Sequence, residues 1–369
     1  MSEHSAAGGE VIPLDLTRRR PRHAPGAARP APAGGSASGR PRCGATTVDG
    51  RACRNYAGPS GRCAVHAVAT SAGDQQRRIE EAARPELPPL KEWEDAVAGV
   101  LSFLRRRLTG AYSIDLYGFD RELTEQVIAP LARPLYQRYW RVRTVGVEHI
   151  PDDGGVLLVA NHSGTLPFDA VMTKLAVYDE HPQRRHLREL AADLAMRTPV
   201  IGPLSRKTGN ALAHDDDAIR LLSAGEAVGV WPEGYKGLGK HYRDRYKLQR
   251  FGRGGFVEVA LRTGAPIVPV AIVGAEEIYP IVANVRPLAR LLGLPYFPMT
   301  WQFPLLGPAG LLPLPSKWVI EFGEPIPTTS YPSDAADDPM TVLELSDRVR
   351  DTIQQMLYRT LLGRRSVFF

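Results

Sequence analysis

The sequence predicts an α/β fold with a mostly parallel central sheet flanked by helices. Short apolar runs recur along the chain, notably "GVLLVA" (155–160), "AVGVW" (227–231) and "PIVPVAIV" (266–273). They are apolar at consecutive positions rather than alternating, the pattern of strands covered on both faces. Stretches with helical spacing lie between them, which is the order of a parallel sheet with crossover helices.

Each element follows from local pattern. Trp93, Val97, Val100, Leu101, Leu104 and Leu108 recur at helical spacing and predict an amphipathic helix over 91–109. Arg105, Arg106 and Arg107 sit near its end, where cations complement the helix dipole. Residues 121–140 read as a second helical stretch, broken at Pro130 and Pro134 because proline lacks the N–H a helix needs. The strand at 155–160 is followed by a helix near Phe168–Tyr178, with Pro167 suited to its first position. A helix over 216–223 precedes the strand at 227–231, and one over 256–263 precedes the strand at 266–273. "WVIEF" (318–322) is a fourth strand. Val342, Leu345, Val349, Ile353, Met356 and Leu357 mark a closing amphipathic helix. No internal repeat is evident.

The chain has 369 residues and a formal charge of +6, unevenly spread. Between Thr17 and Val48 there are seven arginines and no acid, set among Pro, Gly, Ala and Ser. Residues 1–42 therefore read as a disordered basic tail, either simply solvated or drawn to anionic surfaces. Cys43, Cys53, Cys63 and His66 have the spacing C-x9-C-x9-C-x2-H. Three thiolates and an imidazole complete the tetrahedral set of a structural zinc, so 43–66 reads as a zinc knuckle; the other reading is three unligated thiols in a loose linker. Residues 67–89 form a linker, and the organised domain runs over 90–363.

No signal peptide is expected from the polar Met1–Glu10 stretch. The uncharged stretch Leu291–Ser316 is long enough for a bilayer span, but its six prolines argue against a continuous helix. It reads as an interfacial loop with Trp301 and Tyr296 at head-group level, or as the wall of an internal acyl tunnel. The expected location is cytoplasmic, peripherally associated with the inner face of the membrane.

Ligands of such sheets sit outside the carboxyl ends of strands. That rule places "NHSG" (161–164) and "PEGYKG" (232–237) on one rim. His162 precedes Asp169 by seven positions, about 10.5 Å along a straight helix and too far for contact. Gly164 and Pro167 permit the chain to turn back, which brings imidazole and carboxylate within reach. A carboxylate on one ring nitrogen frees the other to take a proton. The alternative is an acid matching the helix dipole and a histidine satisfied by backbone. Glu233, at a strand end, suits a hydroxyl-bearing acceptor or a neighbouring cation. Residues 236–253 carry Lys236, Lys240, Arg243, Arg245, Lys247, Arg250 and Arg253 against one acid, Asp244, which beside a site suits phosphates. A serine hydrolase is disfavoured: Ser163 adjoins His162, but no G-x-S-x-G elbow exists.

"NHSGTLPFD", "WPEGYKG" and "APIVPVAIVG" (265–274), in this order and at these intervals, resemble the motifs of the glycerolipid (lysophospholipid) acyltransferase superfamily. The resemblance spans roughly 142–327. It implies acyl transfer from a thioester, acyl-CoA or acyl carrier protein, to a hydroxyl of a lysophospholipid or glyceride. By the same resemblance His162 is the general base and Asp169 its orienting partner. Asn161, Ser163, Gly164, Glu233, Gly234 and Lys236 line the substrate site; Arg206 and Lys207 are candidates for the family's intermediate arginine motif, with His214 as the alternative. The family usually has four residues between its His and Asp; here there are six. Lys236 occupies the place of the family's arginine. No cofactor is expected for catalysis, a membrane surface is an expected partner, and nucleic acid is not. A catalytically silent lipid- or nucleic-acid-binding protein is the rival reading.

Overall fold

The structure, a computed structural model, describes residues 41, 52–54, 57, 101–252, 254–332 and 334–368. The chain divides into two compact units, Met1–Ala98 and Gly99–Phe369. In the first, the Ala57 N–H donates to the Pro41 carbonyl at 2.9 Å, and Cys53 is buried. The basic tail, Cys43, Cys63, His66, the 67–89 linker and the start of the helix expected at 91–109 lie outside the described residues.

The second unit contains strands β1 (Arg143–Val145), β2 (Val156–Ala160), β3 (Leu187–Ala191), β4 (Ala211–Leu212), β5 (Ala227–Val230), β6 (Ile267–Val273), β7 (Ile281–Asn284), β8 (Pro298–Thr300) and β9 (Val319–Phe322). Seven of them form one sheet in the order β1-β9-β6-β2-β5-β3-β4, while β7 and β8 make a separate antiparallel ribbon. Within the large sheet every pairing is parallel except β6 with β9. The principal helices are α1 (Phe168–Glu180), α2 (Asp193–Arg197), α3 (Ile201–Lys207), α4 (Asp215–Ser223), α5 (Gly255–Thr263), α6 (Arg286–Leu291) and α7 (Pro339–Gly363). The expected α/β class is therefore the observed one.

The uniformly apolar strands work because side chains alternate between faces. In β2, Val156, Leu158 and Ala160 join one core with Met172 and Leu175 of α1. Leu157 and Val159 join the opposite core with Leu221 and Leu222 of α4, Val257 of α5 and Val349 of α7. Trp140 and Trp318, both fully buried, stack at 4.9 Å in the first core. Pro269 sits inside the central strand β6, where a missing donor ordinarily costs a ladder bond. Its carbonyl accepts from the Gly323 N–H at 2.8 Å, and the ladder with β9 begins only at the next residue, Val270, so the proline sits at the end of that ladder.

The helix break expected near Pro130 and Pro134 is not there. Residues 121–139 are continuously helical, with π turns over Thr124–Ile128 and Leu135–Tyr139. The wider turns re-bond the backbone around proline: the Trp140 N–H reaches the Leu135 carbonyl at 2.8 Å. No helix among the described residues is long and apolar enough to cross a membrane.

Candidate active site

β2 and β5 are adjacent and parallel, with Val159 opposite Val230. The segments that leave them, 161–164 and 232–237, emerge side by side on the carboxyl rim. Gly164 (φ +80°) takes the left-handed conformation that turns the chain back, a region that favours glycine. Pro167 caps α1 one residue earlier than expected, and Asp169 lies in the first turn.

His162 Nδ1 is then 2.7 Å from Asp169 Oδ2. The same oxygen accepts the Ser163 N–H at 2.8 Å, and Oδ1 accepts the Ala170 N–H at 2.9 Å. Asp169 is fully buried and His162 nearly so. An acceptor carboxylate assigns the proton to Nδ1, leaving Nε2 as the free base. The Trp231 ring centroid is 6.0 Å from the imidazole.

His162 lines a largely apolar cavity of about 520 Å³, whose wall includes Ala129, Ala132, Leu175, Leu204, Trp231 and Gly234. The cavity also meets a buried polar group. Lys174 Nζ lies 3.4 Å from Glu189 Oε2, donates to the Thr208 carbonyl at 2.8 Å, and donates to Asn210 Oδ1. Burial holds the Lys174 ammonium below its usual range and the Glu189 carboxyl above its own.

Glu233 is only 3 % exposed. Its Oε1 accepts the His162 main-chain N–H at 2.9 Å and its Oε2 the Gln249 N–H at 2.6 Å. Lys240 Nζ bridges Glu233 Oε2 (3.3 Å) and Glu276 Oε1 (3.2 Å). Both carboxylate oxygens are thus engaged within the protein, and Glu233 stands as a brace beneath the histidine loop, not as an open contact for an acceptor. Burial raises Glu276 to about 7 against the pull of Lys240. Burial also disfavours the charged Lys240, but Glu276 and Glu233 outweigh it and raise its pKa. The loop behind the brace is held by α7: Gln354 accepts from the Leu248 N–H at 2.9 Å and donates to the Tyr246 carbonyl at 2.7 Å.

The other expected site residues divide. Asn161 is buried and clasps β6, accepting from the Ile272 N–H at 2.7 Å and donating to its carbonyl at 3.0 Å. Ser163 is buried, and its main chain serves Asp169. Arg206 and Lys207 are exposed at the end of α3 and do not line this cavity, so the site does not gather them. The basic run does not form one face: Lys240 is internal, while Arg245 and Lys247 line a different hollow, with Glu277 and Arg364. Tyr296 is not an outward head-group anchor; its hydroxyl donates to the Thr165 carbonyl at 2.7 Å, inside the loop that joins His162 to Asp169.

Two positioning residues escaped the sequence reading. Lys240 was hidden in the run of cations. Gly237 is a requirement of close approach: a Cβ there would lie 2.7 Å from the His162 carbonyl and 2.9 Å from Glu233 Cβ. Its signal was the second glycine of "PEGYKG".

Residues 141–273, which contain the dyad, the brace and β6, match the family model described as acyltransferase. The chain thus carries an acyltransferase domain over these residues and belongs to one family with the mycobacterial proteins that follow. Among its relatives, the uncharacterized protein Rv0502 of Mycobacterium tuberculosis is 60% identical over 273 residues, covering 74% of this chain and 76% of that protein. The uncharacterized protein ML2427 of Mycobacterium leprae is 58% identical over 281 residues, covering 76% and 77% respectively. Among solved structures, the chain is similar to the crystal structure of the 1-acyl-sn-glycerophosphate (LPA) acyltransferase PlsC from Thermotoga maritima, with TM-score 0.44 and 19% identity, over 67% of this chain and 85% of that one.

Proposed function

We propose that the chain is a glycerolipid acyltransferase that moves a fatty acyl group from a thioester, acyl-CoA or acyl carrier protein, to a hydroxyl of a lysophospholipid or related glyceride. The observation that carries this reading is the 2.7 Å His162–Asp169 contact in the wall of an apolar cavity. Asp169 fixes the imidazole, and Nε2 removes the acceptor hydroxyl proton as its oxygen attacks the thioester carbonyl carbon. The carbonyl oxygen becomes an oxyanion near the Gly164 main-chain N–H, which has no hydrogen-bond acceptor among the described residues. The tetrahedral intermediate then collapses: the C–S bond breaks, and the departing thiolate takes the proton back from His162. The apolar cavity suits the fatty chain, and no step calls for a metal.

The family membership and the order of the three rim motifs support the same reading. A membrane surface fits as the source of acceptor, because Trp301, Leu305, Leu306, Leu311 and Leu312 are all exposed, Leu305 at 83%. The protein then works peripherally at the inner face of the membrane, and flotation with lipid vesicles tests that part.

The decisive experiment is transfer of labelled acyl groups from acyl-CoA to a panel of lysophospholipids and monoacylglycerol. Wild-type protein is expected to acylate at least one acceptor, and His162→Ala to lose turnover while melting as the wild type does. Substantial transfer by the folded variant removes His162 from the role.

A further inference from the structure

Next to the apolar cavity is a second pocket of about 390 Å³, into which Tyr235, Lys236, Asn284, Arg286, Arg290 and Tyr296 all contribute. Its cations come from two distant stretches. Lys236 follows the Glu233–Gly234 turn, on the short helix Tyr235–Leu238. Arg286 and Arg290 lie four positions apart on α6 and therefore share a helix face. Elsewhere the cations near the site are neutralised: Lys240 meets two carboxylates, and Lys174 meets Glu189. The side chains of Lys236, Arg286 and Arg290 have no ion-pair partner among the described residues. Three uncompensated positive charges at one hollow repel each other unless an anion joins them.

The pocket is also placed to serve the dyad. Tyr235 lines both this pocket and the apolar cavity, so the two share a wall. Tyr296, on the pocket's other side, holds the Thr165 carbonyl of the loop between His162 and Asp169. An anion in the pocket is thus one side chain away from the space that His162 faces. Arg286 and Arg290 fall outside the 141–273 match, so the family model does not account for them.

We infer that Lys236, Arg286 and Arg290 form a subsite for a phosphate monoester carried by one of the two substrates; this rests on the acyl-transfer reading. Guanidinium forks match the planar pairs of oxygens that a phosphate presents, and the lysine adds a compact third charge. Two substrates can supply that group: the head group of a phosphorylated acceptor, or the phosphates of coenzyme A. Either way the subsite holds the charged end while the acyl chain occupies the apolar cavity.

The test uses the full chain with Arg286→Ala/Arg290→Ala, both exposed positions, and checks folding by thermal melt. Transfer from acyl-CoA is measured to lysophosphatidic acid and to monoacylglycerol; transfer to monoacylglycerol is measured from acyl-CoA and from acyl-pantetheine, which lacks the nucleotide phosphates. The expected result is a rise in KM of about ten- to a hundredfold for the phosphorylated member of one pair, with kcat within about twofold and its neutral counterpart unchanged. The pair that responds identifies the source. Calorimetry with glycerol 3-phosphate and adenosine 3′,5′-bisphosphate supplies a readout independent of turnover, with wild-type binding expected to vanish in the variant. Arginine-dependent probe binding without any transfer keeps the subsite and discards the acyl-transfer reading. Intact transfer with KM unmoved for every substrate, equal shifts for charged and neutral partners, or absence of both transfer and probe binding in the wild type overturns the subsite.

Discussion

The main-chain N–H of His162 donates to Glu233 Oε1 at 2.9 Å, joining residues 71 positions apart in sequence. The other oxygen of that carboxylate accepts from Gln249 and faces Lys240. Glu233→Ala removes one acid from a buried lysine and orphans two part-buried N–H groups. We expect a loss of about 2–4 kcal/mol in urea unfolding, together with a fall in kcat. Glu233→Gln, which keeps one acceptor oxygen, should recover part of both. Wild-type kcat in a folded Glu233→Ala variant contradicts the bracing role.

Asp169→Asn preserves shape but offers an amide where Nδ1–H needs a carboxylate. The imidazole loses its preferred tautomer and the stabilisation of its protonated form. The expected fall in kcat is about 10³- to 10⁴-fold by initial rates. Because the amide nitrogen must face one of the buried N–H groups that Asp169 accepts, a thermal scan should also show a loss of about 1–3 kcal/mol.

Glu276 gives stability a pH dependence of definite sign. Its carboxyl is raised from the ordinary 4.5 to about 7 in the folded protein, chiefly by burial. Between those values the folded state binds more protons than the unfolded one. The contribution is therefore complete below about pH 4.5 and is lost as pH rises through about 7. Urea midpoints taken at pH 5 and pH 7.5 should show it, and Glu276→Gln should reduce the difference. An unchanged difference in the variant points to another group.

The Lys174–Glu189 pair is expected to obey the rule for buried ions. Lys174→Met strands the Glu189 carboxyl and should cost about 3–5 kcal/mol. Lys174→Met/Glu189→Leu should recover most of that cost, because neither charge then lacks its partner. A double variant as unstable as the single one rules out the pairing as the cause, and equilibrium unfolding decides it.

Much of this architecture was legible from the sequence where one strand or one turn carried its own signal. β2, β5 and β6 announce themselves as apolar runs, and α7 through its buried positions at helical spacing. β3 did not, because Arg188 and Glu189 interrupt it; both are buried, Arg188 against Asp115 and the Gly209 carbonyl, Glu189 against Lys174. A charged residue reads as surface until its partner, far off in sequence, is known. The dyad was legible for the opposite reason: Gly164 and Pro167 mark the turn that closes it within eight residues. The brace was not, since Glu233 is held by main-chain groups of His162 and Gln249, which leave no trace in residue type.

The grip of Gln354 on the 246–249 loop carries a consequence for biosynthesis. His162 and Asp169 leave the ribosome early, yet the support behind them depends on a helix translated long afterwards. A partly made chain therefore carries both members of the dyad without the clasp that steadies the loop behind them.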